Sequence, residues 1–94
     1  MKVLEFIEKD ALVGEFAEEM ARLQKKCDKY YYIDKDMNLC DYIQAKIDGL
    51  KDLSIKLGIC EEMYEKAYQI YDFRNSGKKD YVPSKEQLEE MRKC

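Results

Sequence analysis

Apolar side chains recur at helical spacings along the first thirty residues. The register is typical of one face of an α-helix and runs through Phe6, Val13, Phe16, Met20, Leu23, Cys27 and Tyr30. It is interrupted at Lys9 and Asp10, and Gly14 has a helix propensity about 1 kcal/mol poorer than alanine. The sequence therefore predicts either one long helix or a break at which Asp10 caps a second helical segment.

The register is lost between Tyr30 and Asn38, where Asp34, Asp36 and Asn38 favour turns and helix caps. This stretch predicts a connection. An apolar register then resumes through Cys40, Ile43, Ile47, Leu50, Ser54 and Leu57, and predicts a second helix over about residues 39–57. Gly58 follows where a left-handed C-terminal cap would lie. Two long amphipathic helices joined by a short turn are expected to pack as an antiparallel hairpin.

A third helix is predicted from Cys60 to Arg74. Its apolar residues fall within an arc of about 160° at the helical period and are Met63, Tyr64, Ala67, Tyr68, Ile70 and Tyr71. Ser84 and Gln87 have the spacing of a capping box and predict a short helix that ends near Lys93. The predicted fold is all-α, a small helical bundle made of a long antiparallel helical hairpin, a third helix and a short C-terminal helix, in a single domain over residues 1–94.

Charge and composition exclude several classes of function. The net charge of −3 gives no general attraction to nucleic acid or to anionic lipid. No apolar run is long enough for a signal peptide or a membrane span, so we expect a cytoplasmic protein without a membrane partner. The chain has no histidine, the commonest general base, and no glycine-rich phosphate loop. We expect no enzymatic activity and no cofactor.

The four cysteines predict free thiols. Cys27, Cys40, Cys60 and Cys94 lie far apart without a CxxC pair, which argues against a zinc site or a redox motif. Cys27 and Cys40 fall on the apolar registers, where a reduced cysteine behaves as a small hydrophobic residue. Cys60 alone has an argument for reactivity, because it lies at a predicted helix start.

The stretch from Asp34 to Asn38 matches the first five positions of a calcium-binding loop. The match ends there, because Leu39 replaces the glycine needed at the sixth position and Ala45 the glutamate needed at the twelfth. We expect no metal site, and we interpret the stretch as a turn in which Asp36 or Asn38 caps the second helix.

The stretch from Leu53 to Phe73 has the pattern of a helix-turn-helix, with Gly58 at the turn. DNA binding by such a motif requires donors to phosphates and base edges on the second helix. That helix instead presents Glu61, Glu62 and Glu65, which have the wrong sign for a phosphate backbone. A helix-turn-helix transcriptional regulator is therefore the alternative hypothesis, and we expect no nucleic-acid partner.

The third predicted helix carries the most unusual feature, a stripe made of Tyr64, Tyr68 and Tyr71 followed by Arg74. Such tyrosines either edge the core with their hydroxyls in water or form a contact surface. The apolar arc is wider than docking on a hairpin requires, so these four residues are the predicted site for a partner.

We interpret the chain as a small non-enzymatic protein-binding module, a regulator, adaptor or inhibitor that docks a helical aromatic face on a larger protein. Its size and acidity are analogous to those of inhibitors carried by phages or mobile elements. A homodimeric structural or assembly protein is the third hypothesis, because two long apolar stripes leave surplus surface on so small a chain.

Overall fold

A computed structural model describes residues 6–93, and every element of regular secondary structure in this range is a helix. The elements are α1 (Phe6–Asp28), a π-helical turn (Lys29–Ile33), α2 (Met37–Lys56), α3 (Cys60–Ile70) and α4 (Lys85–Arg92). This confirms the predicted all-α fold. Helix α1 continues through both Asp10 and Gly14, so the interpretation with a break at Asp10 is wrong.

The three consecutive tyrosines belong to a π-helical turn that directly extends α1. The backbone N–H of Asp34 donates to the carbonyl of Lys29 at 3.0 Å, a bond across five residues. A π-turn holds more residues than an α-turn and so rotates the side chains that follow it. This rotation accounts for the loss of the apolar register at Tyr30. The predicted connection is therefore too long, because helical backbone continues through Ile33.

Asp36 caps α2, as the turn-and-cap interpretation predicts. Its side chain accepts a hydrogen bond from the backbone N–H of Leu39 at 3.1 Å, and the preceding Lys35 takes a positive φ of 55°. The helix begins at Met37, two residues before the predicted start. An N-cap of this kind contributes about 1 kcal/mol to stability.

Gly58 ends α2 in a left-handed conformation with φ of 71°, which confirms the predicted cap. Two hydrogen bonds close the turn: Gly58 N–H to the Ile55 carbonyl at 3.0 Å and Ile59 N–H to the Ser54 carbonyl at 2.9 Å. This is the Schellman arrangement, in which an apolar residue just after the glycine packs back on the helix. Ile59 follows the glycine and is fully buried, and its backbone bond to Ser54 holds the start of α3 at the end of α2.

Helix α1 is the centre of the bundle and packs against both α2 and α3. Alanines at 17, 21 and 67 are buried and allow α1 and α3 to approach closely. The buried cluster also contains Met20, Leu23, Cys27, Ile43, Ile47, Met63, Tyr71 and Phe73. Leu57, which the apolar register assigned to the core side of the second helix, is 46% exposed.

Helix α3 ends at Ile70, so the predicted extension to Arg74 is wrong. Tyr71 has extended backbone with φ of −149° and ψ of 117°, which turns its side chain into the protein. Beyond it, Ser84 caps α4 and accepts from the Gln87 backbone N–H at 3.2 Å, as its spacing predicts. Helix α4 is held by the fully buried side chain of Met91.

Candidate protein-binding surfaces

A buried carboxylate, Asp28, joins the end of α1 to the segment after α3. Asp28 is 3% exposed. The Tyr71 and Ser76 hydroxyls each donate to its Oδ2 at 2.6 Å, and the Gln24 amide donates to Oδ1 at 3.2 Å. Short hydrogen bonds to a charged acceptor are among the stronger ones in proteins. Asp28 therefore anchors the chain that follows α3.

Burial and hydrogen bonding act in opposite directions on this carboxyl. Burial raises the pKa of Asp28 above its ordinary value, and the bonds from Ser76, Tyr71 and Gln24 lower it by a smaller amount. The pKa of Tyr71 is raised by burial and by its bond to Asp28. The Tyr71 proton consequently stays on the phenol, which remains the donor.

Tyr71 is therefore a core residue, and its predicted place on a partner-binding surface is wrong. Its side chain is 3% exposed, because the chain leaves the α3 helix at this position and carries the ring towards Asp28. Its ring lies 6.3 Å from that of Phe73, and the Lys25 ammonium lies 5.5 Å from its centroid.

The other predicted site residues lie together around Phe73. The rings of Tyr64 and Tyr68 are half-buried and lie 6.1 Å and 4.7 Å from that of Phe73. Arg74 is exposed, with its guanidinium 5.5 Å from the Tyr68 ring and bonded to Asp72. The structure thus brings Tyr64, Tyr68 and Arg74 to one surface. The two tyrosine rings in it already pack partly against Phe73.

A larger exposed apolar surface lies on α2, and we name it the α2 row. Its members are Leu39 (41% exposed), Tyr42 (59%), Leu53 (47%) and Leu57 (46%). At 100° per residue these positions fall within an arc of about 60° beside the buried face of the helix. The half-buried Leu50 and the stem of Lys46, whose ammonium lies 4.8 Å from the Tyr42 ring, occupy the middle.

The outer face of α3 is acidic, as the sequence indicates. Glu61, Glu62 and Glu65 are all exposed. The lysines nearest to this face are already paired, Lys9 with Glu62 at 3.2 Å and Lys66 with Asp10 at 3.1 Å. A short turn at Gly58 joins α2 to α3, and the exposed face of α3 offers carboxylates, which repel a phosphate backbone.

A cavity of about 220 Å³ lies between the end of α1, the start of α2 and the loop after α3. The cavity is lined by Cys27, Asp28, Tyr31, Tyr32, Cys40, Gln44, Ser76 and Gly77, together with Gln24. Within it the sulfur atoms of Cys27 and Cys40 lie 3.3 Å apart. The sequence reasoning missed this pair, although both cysteines lie on core registers at facing ends of the predicted hairpin.

Two further properties concern residues 6–93. No cluster of three or more histidine, cysteine, aspartate or glutamate side chains in this range is arranged to hold a metal ion. No helix in this range has both the length and the apolar character that a membrane span requires.

No protein-family model, curated protein or solved structure matches this chain.

Proposed function

We propose that this protein is a non-enzymatic protein-binding module, and that the α2 row receives an apolar helix of a larger partner protein. The observation that supports this proposal is the exposure of four large apolar side chains on one side of α2, Leu39, Tyr42, Leu53 and Leu57. Single exposed leucines are ordinary on protein surfaces, but a contiguous apolar patch is typical of an interaction site.

The geometry of the α2 row suits another helix. The row runs from Leu39 to Leu57, a length of about 27 Å at a rise of 1.5 Å per residue. With Lys46 and Leu50 included, successive positions are three or four residues apart, the spacing by which one helix packs along another. Tyr42 is the most exposed side chain of the row, at 59%, and tyrosine is enriched among residues that contribute most to binding.

The charges beside the row indicate the chemistry of the partner. Lys46 lies in its middle and Lys56 near its end, and both are exposed. The acidic residues of α2, Asp41, Asp48 and Asp52, lie on other sides of the helix at the helical period. Because Glu19 of α1 already interacts with Lys46, we expect the partner helix to carry apolar residues flanked by a glutamate or aspartate that complements Lys56.

Two other proposals from the sequence lead to different outcomes. If Tyr64, Tyr68 and Arg74 are the partner site, truncation of Tyr68 abolishes binding and changes to the α2 row do not. If the protein is a homodimer, a second copy covers the α2 row, and the molar mass of the protein in solution is twice that of one chain.

A matched pair of α2 variants tests the proposal. Leu53 and Ile55 are both about half exposed, at 47% and 54%, and lie two positions apart on opposite sides of the helix. Leu53→Asp places a charge in the α2 row, and Ile55→Asp places the same charge outside it at similar cost to the helix. Both variants should keep the helical circular dichroism spectrum and lose less than about 1 kcal/mol of stability.

Partners are captured from a lysate of the native host with the wild-type chain, identified by mass spectrometry and purified. Their affinities are then measured for the wild type, Leu53→Asp, Ile55→Asp and Tyr68→Ala. We expect Leu53→Asp to weaken binding by about 2 kcal/mol or more, as loss of a central apolar contact does, and Ile55→Asp to bind normally. Equal affinities of Leu53→Asp and the wild type would refute the proposal.

A further inference from the structure

Cys27 and Cys40 face each other across the helical hairpin. Cys27 lies in the last turn of α1 and Cys40 in the first turn of α2, and the Cys27 thiol also lies 3.8 Å from the Cys40 carbonyl. Their sulfur atoms are 3.3 Å apart, whereas a disulfide bond is about 2.0 Å long. Small rotations of the two side chains cover the difference, so the helices already hold the cysteines at disulfide-forming range.

We propose that Cys27 and Cys40 form a reversible redox site, in which a low-molecular-weight disulfide such as oxidised glutathione converts the thiol pair into a disulfide between α1 and α2.

The two cysteines differ in access, which sets the order of the steps. Both cysteines line the cavity described above, but Cys40 is half-buried, whereas Cys27 is buried. Burial, the contact with Cys40 and the neighbouring Asp28 and Asp41 raise the pKa of Cys27 to about 12. Cys27 therefore keeps its proton in the resting state. Because Cys40 is the more accessible of the two thiols, it reacts with an incoming disulfide first.

The exchange balances as two successive displacements. The Cys40 thiolate attacks one sulfur of the small disulfide, forms a mixed disulfide and releases one small thiolate. Cys27 then gives up its proton and attacks the Cys40 sulfur, which forms the Cys27–Cys40 bond and releases the second small thiolate. The two cysteine protons end on the two released thiolates. The protein loses two electrons, and the small disulfide gains them.

The product would hold the hairpin closed at the π-helical turn. The bond joins residues 13 positions apart, and closing a loop of this size restricts the unfolded chain. The sulfur atoms need little movement, so little of this gain is lost to strain in the folded state. We expect the melting temperature to rise by roughly 10 °C on oxidation.

The experiment uses the full chain carrying Cys60→Ser and Cys94→Ser, so that only the proposed pair can react. The chain is equilibrated in glutathione buffers of increasing oxidised fraction, blocked with an alkylating agent and digested with trypsin. Lys29 and Lys35 lie between the two cysteines, so trypsin separates them unless the disulfide joins their peptides.

We expect the joined peptide, an intact mass lower by two hydrogen atoms, the higher melting temperature and full reversal by dithiothreitol. Cys27→Ser should instead accumulate the glutathione adduct on Cys40, because the second displacement is lost, and Cys40→Ser should acquire no adduct. If the Cys60→Ser and Cys94→Ser substitutions prevent folding, the same joined peptide is sought in the wild-type chain.

Three results would overturn the proposal. In the first, both thiols stay reduced in a large excess of oxidised glutathione and are recovered in alkylated form. In the second, the reaction stops at the glutathione adduct of Cys40. In the third, the disulfide forms only under conditions in which the helical circular dichroism signal is lost.

Discussion

The hydrogen bond from Tyr71 to the buried carboxylate of Asp28 can be tested by a single substitution. Tyr71→Phe removes the phenolic hydroxyl that donates to Asp28 Oδ2 at 2.6 Å. It keeps the ring, and with it the stacking on Phe73 at 6.3 Å between centroids. Asp28 keeps the bonds from Ser76 and Gln24, so the substitution isolates one hydrogen bond to a charged group.

The expected cost follows from that geometry. A hydrogen bond to a charged group contributes about 1.5–3 kcal/mol, and removing one partner in a buried site leaves the other without compensation. We therefore expect Tyr71→Phe to lower the free energy of unfolding by about 2 kcal/mol and the melting temperature by roughly 10 °C. The Tyr71 bond also lowers the pKa of Asp28, so that pKa should rise in the variant.

The assay combines urea denaturation with a pH titration of the Asp28 carboxyl carbon by NMR. Tyr64→Phe is the control, because the Tyr64 ring is half-buried and its hydroxyl is not needed to hold Asp28. We expect that control to cost less than about 0.5 kcal/mol. A Tyr71→Phe variant as stable as the control, with an unchanged pKa of Asp28, would refute the role assigned to this bond.

Three other outcomes follow from the structure. Because the native pKa of Asp28 is raised above its ordinary value of 3.8, the native state binds this proton more tightly than the unfolded state. The part of the stability that is linked to this proton is full below pH 3.8 and is lost as pH rises through the native pKa. Asp28→Asn should therefore remove this decline from the free energy of unfolding measured by urea denaturation between about pH 3 and 8. Gly58→Ala should cost about 1 kcal/mol by the same assay, since only the left-handed φ of 71° opposes the new methyl group; an unchanged stability would contradict this. We expect no binding to duplex DNA at micromolar concentration in gel shifts at low and moderate salt, because Glu61, Glu62 and Glu65 face outwards; tight, salt-sensitive binding would favour the helix-turn-helix alternative.

The parts of the fold that depend on local chemistry were predictable from the sequence. Asp36 caps a backbone N–H three residues later, and Ser84 does the same. Gly58 takes the left-handed conformation that its position after an apolar register indicates. In each case the side chain or glycine acts on backbone within one turn, so the signal lies within a few residues.

The errors occurred where distant contacts decide the structure. The helical pattern of the third helix continues past Ile70, but Tyr71 bonds to Asp28, 43 residues earlier in the chain, and takes extended backbone. Nothing in the spacing of the tyrosines signals this contact. The pairing of Cys27 with Cys40 likewise depends on how the two long helices close on each other, which the spacing of the cysteines does not show.

The α2 row was missed by the sequence analysis, since only Leu57 of its members belonged to the apolar register of the second helix. Leu53 and Leu57 are both apolar, and the pattern does not distinguish a side chain that meets α1 from one that lies beside it. The structure resolves this because α3 and α1 cover only part of the helix and leave both leucines about half exposed.

The central claim, that a partner helix lies on the α2 row, is tested most directly by photo-crosslinking in cells of the native host. A benzophenone amino acid replaces Tyr42 in one variant and Ile55 in another, both highly exposed on α2, at 59% and 54%, but on different sides of the helix. We predict that the Tyr42 position crosslinks to one discrete larger protein through an apolar, acid-flanked helix, and that the Ile55 position does not. The same products from both positions, or crosslinks from Tyr42 only to a second copy of this chain, would contradict the account.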